Sequence, residues 1–100
     1  MTDTNNTADL EGLRAQLDEM DGRLLRTVHG RIKLCTQIAE YKRDHNVPMM
    51  QPQRIQAVHE HVTAFAAEHG IDTVFLNQLY DAIIKESCRV ENEIIGVSTT

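Results

Sequence analysis

One hundred residues, 41% of them apolar and four aromatic, make a single domain with enough Leu, Ile, Val and Ala for a helical core. A net charge of −5 excludes a general nucleic-acid binder, because phosphate contacts need a basic surface. No apolar run approaches the roughly 20 residues of a membrane span, and the opening MTDTNNTAD lacks the basic start and apolar stretch of a secretion signal, so a cytoplasmic protein is expected.

Residues 1–8 are small and polar and read as a flexible tail. Thr7 or Asp9 is placed to cap a helix whose pattern runs without proline to Pro48. Leu13, Leu17, Met20, Leu24, Val28, Cys35 and Ile38 form its apolar stripe. Such a helix would reach about 55 Å, while a compact domain of this size has a gyration radius of only about 13 Å, so a second copy of the chain is expected to cover it. A second, shorter helix carries Ile55, Val58, Val62, Phe65 and Ala66 and stops at Gly70 in the left-handed position. Asp72 caps a third, with the stripe Phe75, Leu76, Leu79, Tyr80, Ile83, Ile84, Ser87, Val90 and Ile94, ending before Gly96. The expectation is all-α: helices of about 36, 18 and 24 residues in an intertwined homodimeric bundle, with the domain spanning 9–96 and a tail over 97–100.

Polar residues interrupt these apolar faces. Arg31 and Lys42 fall in step with the first stripe, eleven residues and three turns apart, with their bases about 16 Å from one another. Ser87 and Glu91 add a hydroxyl and a carboxyl to the third helix, Arg54 lies in the first turn of the second, and Arg14 flanks the stripe where it could reach across a dimer seam. A cation on a core face needs an anion. Either Glu91 pairs with Arg31 or Lys42 inside a non-catalytic helical module, or the excess positive charge binds a small molecule bearing carboxylates.

Other chemistries have less support. His59 and His61 point in different directions, His29, His45 and His69 complete no ligand set, and no metal is expected. Neither a nucleophilic triad nor a Gly-rich phosphate loop is present. Cys35 and Cys88 read as reduced core thiols, and Tyr41, Tyr80, Phe65 and Phe75 as core or rim packing.

In LEGLRAQLDEMDGRLLRTVHGRI, IAEYK and IIKESCRVE the chain resembles the small all-helical chorismate mutases of the AroQ class, from Leu10 to Ile95. The resemblance implies a cofactor-free [3,3] rearrangement of a dicarboxylate, with one C–O bond breaking as one C–C bond forms. It implies that Arg14 of one subunit and Arg31 of the other grip carboxylates, Lys42 donates to the ether oxygen, Ser87 assists a carboxylate and Arg54 adds positive field. Ile38, Val58, Ile84 and Cys88 would wall the pocket. Three positions depart from the common bacterial pattern. Glu91 stands where a glutamine donor is usual and can donate only if protonated, Ile55 replaces the acidic residue after the loop arginine, and Gln51 replaces an aspartate. With the loop VPMMQPQRI these departures look more like the 4-amino-4-deoxychorismate mutases of antibiotic pathways, which implies that substrate. Plain chorismate mutase and isochorismate-pyruvate lyase are the alternatives on the same scaffold.

Overall fold

The computed structural model describes residues 2–49 and 51–96, with side chains from Asp9 onward. Among these residues there are three helices and no strand: α1 (Thr2–His45), α2 (Pro52–His69) and α3 (Thr73–Ile95). The last two match expectation closely. The first begins earlier, so that Thr7 and Asp9 lie inside a helix of 44 residues and most of the expected N-terminal tail is helical from Thr2. The reason is local, since no proline or glycine precedes Gly12 to interrupt the backbone ladder. The expected tail at 97–100 lies outside the described residues.

Short-range chemistry sets the helix ends. Asn46 ends α1 with φ 56°, and the Val47 N–H returns to the Lys42 carbonyl at 2.9 Å. Pro52 opens α2, where its missing N–H costs nothing, and the Gln51 carbonyl accepts from the Arg54 N–H at 2.9 Å. Gly70, at φ 69°, ends α2 in the left-handed region, with the Ile71 N–H bonded to the Ala66 carbonyl at 2.8 Å. Two residues later the Asp72 carboxylate accepts from the Phe75 N–H at 3.1 Å and caps α3.

With so short a connection α2 and α3 pack against one another, and a polar latch crosses their contact. The Asn77 amide donates to the Thr73 carbonyl at 2.9 Å and to the Thr63 hydroxyl at 3.0 Å. A carbonyl can only accept, which fixes the amide and turns Asn77 Oδ1 toward His59 Nδ1, 2.7 Å away. His59 Nε2 lies 2.9 Å from an Asp81 carboxylate oxygen, so both ring nitrogens face oxygen acceptors.

The chain divides into two compact units, one formed by α1 up to Lys33 and the other by Leu34 onward. In the first, Leu13, Leu17, Met20 and Leu24 are each more than half exposed. In the second, Cys35, Ala39, Val62, Ala66 and Glu91 are buried. Among the described residues no large side chain is fully buried. The aromatics expected as core or rim take the rim: Tyr41, Phe65 and Phe75 are exposed and Tyr80 is half-buried. Tyr41 stacks on His45 and Phe65 lies against His69. Both cysteines are free thiols, Cys35 buried and Cys88 only half-buried, because Cys88 stands on α3 at the margin of a thin core. No helix among the described residues is long and apolar enough to cross a membrane.

Candidate active site

Cys35, Ala39 and Lys42 follow one another at four and three residues, so the face of α1 that carries the buried thiol and methyl also carries the lysine. On α3, Ile84, Cys88 and Glu91 repeat that spacing. These two faces bring Lys42 Nζ within 2.9 Å of Glu91 Oε1, with side-chain exposures of 12% and 11%. Of the two internal pairings open from sequence, the one with Lys42 therefore forms. The ammonium has a second acceptor, the Met49 carbonyl at 3.0 Å, supplied by the loop between α1 and α2.

Hiding two charges in this way is expensive. Their desolvation penalty is of the same order as their attraction, so the pair adds little net stability, although removing one partner alone would cost about 3–5 kcal/mol. What the pair does provide is orientation. A lysine ammonium has three protons, and two of them are aimed at fixed protein oxygens. The third has no acceptor among the described residues.

The remaining candidates of the second unit lie on α1, on α2, on α3 and in the loop between α1 and α2. Ser87 is half-buried one turn before Glu91, its hydroxyl donating to the Ile83 carbonyl at 2.9 Å. Ile84 and Cys88 are half-buried on the same helix, and Ile55 and Val58 are half-buried on α2. Gln51, Arg54 and Ile38 are exposed. Of the two candidate arginines in the first unit, Arg14 is exposed and Arg31 half-buried.

Charged side chains also interact on the exposed surface of α3. There the Arg89 guanidinium spans Glu86 and Glu93 at 2.7 and 2.8 Å, and its hydrogen bond holds the Glu86 carboxyl below the ordinary carboxylate range. The same bond raises Arg89 further above its already high value. Among the described residues no three His, Cys, Asp or Glu side chains gather to hold a metal ion.

Two features escaped the sequence reading. The Met49 carbonyl is a backbone atom without a residue signature, although an Asn just beyond a helix end, followed closely by Pro48, is a readable turn signal. The His59 latch needs partners from another helix, which spacing along α2 does not reveal.

The family model for type II chorismate mutases matches residues 13–92. The chain is 54% identical over 90% of its length to the 4-amino-4-deoxychorismate mutase of Streptomyces pristinaespiralis, covering 70% of that protein. It is 50% identical over 96% of its length to the 4-amino-4-deoxychorismate mutase of Streptomyces venezuelae, covering 90% of that protein. A more distant relative is the chorismate mutase of Methanocaldococcus jannaschii, 21% identical over 86% of this chain and 87% of its own. No solved structure matches the chain. A three-helix scaffold with a shielded, oriented ammonium, the family model over residues 13–92 and half-identity to these mutases place the chain in the type II chorismate mutase family.

Proposed function

We propose that this isomerase converts 4-amino-4-deoxychorismate to 4-amino-4-deoxyprephenate. The observation that carries the reading is identity of 54% and 50%, over 90% and 96% of the chain, to two enzymes bearing that substrate's name. Gln51 and Ile55, in the loop and the first turn of α2, supply a physical counterpart. The acidic side chain that the resembled bacterial pattern offers a C4 hydroxyl is missing after Arg54, so recognition at C4 is expected to differ from that pattern.

The reaction is a concerted shift of six electrons. The ether C–O bond breaks, a C–C bond forms, and no proton, electron or co-reactant enters or leaves. Catalysis then consists of holding the dicarboxylate in its compact conformer and placing positive charge where the ether oxygen gains electron density. In this reading the third Lys42 N–H meets that oxygen. Glu91 serves as the carboxylate that orients Lys42, in place of the protonated donor weighed from sequence. Arg31 and a partner subunit's Arg14 grip the carboxylates, Ser87 assists one of them, and Arg54 adds positive field. Val58, Ile84 and Cys88, joined by Ile38 once a second chain covers it, exclude water and so strengthen the charged contacts.

The same reading includes a cytoplasmic homodimer. Its support is the exposed row Leu10, Leu13, Leu17, Met20 and Leu24, which alternates steps of three and four as a helix–helix seam requires.

Steady-state assays of the purified protein on both substrates test the assignment. The amino substrate should be favoured in kcat/KM by about tenfold or more. The opposite preference would make the protein a plain chorismate mutase, and release of salicylate and pyruvate from isochorismate would make it a lyase.

A further inference from the structure

Asn46 is the one described residue other than glycine with a positive φ, 56°. The corresponding places at the ends of α2 and α3 are taken by Gly70 and Gly96. In that conformation the chain reverses, the Val47 N–H bonds the Lys42 carbonyl at 2.9 Å, and the loop returns until the Met49 carbonyl stands 3.0 Å from Lys42 Nζ. Lys42 is thus fastened twice by the loop that follows it, once through its backbone oxygen and once through its ammonium. Glu91 fastens the ammonium from α3.

We propose that Asn46 is a positioning residue for Lys42: its left-handed backbone brings the Met49 carbonyl onto the ammonium, which with Glu91 leaves a single N–H directed at the substrate. The inference rests on the role given to Lys42 above and extends it to a residue and a backbone atom outside the substrate-binding set. Asn tolerates this backbone region through its short polar side chain and Gly enters it freely, whereas a β-branched residue is strongly disfavoured there. Without the reversal, Met49 has no path back to Nζ. The ammonium then keeps its charge but loses one of the two bonds that fix its direction, and a misdirected donor costs rate more than affinity.

The test compares Asn46→Gly, Asn46→Ala and Asn46→Val with the parent, at a temperature where circular dichroism shows all of them folded. The Gly variant should keep kcat within about twofold, whereas the Val variant should lose about tenfold or more in kcat with a smaller change in KM, and Ala should fall between them. In a Lys42→Ala background the Asn46→Val change should alter the residual rate by less than about twofold, since it acts through the missing ammonium.

A second readout is independent of turnover. Acetic anhydride labelling, mapped by mass spectrometry, should modify Lys42 more slowly than the exposed Lys33 and Lys85 in the parent and the Gly variant. In the Val variant labelling of Lys42 should speed up by several-fold. A Val variant with parental kcat and parental labelling of Lys42 overturns the proposal, as does a Gly variant impaired as severely as Val. If the parent rearranges neither substrate, the function assigned above fails, while the labelling still decides whether Asn46 holds the ammonium.

Discussion

Among the described residues the first thirty-three bury no apolar side chain, whereas the rest of the chain buries four small ones while still leaving Leu34, Val74 and Phe75 more than half exposed. The first unit leaves a row of large aliphatic side chains in the open, with Leu13, Met20 and Leu24 at 60%, 62% and 58% exposure. The second hides small ones, Cys35, Ala39, Val62 and Ala66, and spends its polar chemistry on a latch between α2 and α3 and on the Lys42–Glu91 pair. Large apolar groups contribute the most when covered, so the aliphatic row of the first unit has much to gain from burial. In the reading proposed above a second copy of the chain covers this row, while the Lys42–Glu91 pair is assembled within the second unit.

The largest effect expected from breaking this contrast lies in the first unit. Each exposed Leu or Met is worth about 1.5–3 kcal/mol when buried, and a symmetric interface uses every position twice. Met20→Glu combined with Leu24→Glu should raise the dimer dissociation constant by about a hundredfold or more, and sedimentation should show monomer at concentrations where the parent is dimeric. The parent's melting temperature should rise with protein concentration, as it does for any fold stabilised by association. A parent that sediments as a monomer at all accessible concentrations would remove the dimer from the reading.

A smaller effect is expected at the latch. Asn77→Ala removes the donor to Thr63 and to the Thr73 carbonyl and the acceptor facing His59 Nδ1. Because these groups are only partly buried, water replaces much of what is lost, and the cost should be about 1–2 kcal/mol in chemical denaturation. Unlike the change in the leucine row, this loss belongs to one chain's own packing. Its size should be the same at every protein concentration, and a concentration-dependent cost would tie the latch to assembly.

What the sequence disclosed follows from the range of each interaction. Gly70, Asp72 and Gly96 act within a few residues of themselves, so the ends of α2 and α3 were legible. The start of α1 was not, because Thr7 and Asp9 have capping side chains but nothing forces the backbone out of the helix there, and a good cap residue does not by itself begin a helix. The pairing of a stripe cation with Glu91 was legible as a need for neutralisation. Choosing between Arg31 and Lys42 required knowing which turn of α1 faces α3. The Met49 carbonyl and the His59 latch were illegible for a common reason: each depends on an acceptor delivered by a different element, and periodicity along one helix carries no information about the next.

The smallest expected effect concerns charge on an open surface. Glu86 and Arg89 lie three apart on α3, and the guanidinium bond holds the Glu86 carboxyl below its ordinary value of 4.5. A depressed carboxyl pKa stabilises the folded state above the unfolded value and ceases to do so as pH falls through the folded one, so its contribution is intact at neutral pH and disappears below pH 4.5. Glu86→Gln should therefore lower the melting temperature slightly near pH 7, and the difference from the parent should vanish on acidification. Both groups are solvated, so added salt should shrink the neutral-pH difference as well. The same salt should leave association through the leucine row intact or strengthen it, because apolar burial is not screened. Opposite responses to one reagent would separate exposure that water satisfies, at Glu86 and Arg89, from exposure that calls for a partner, along α1.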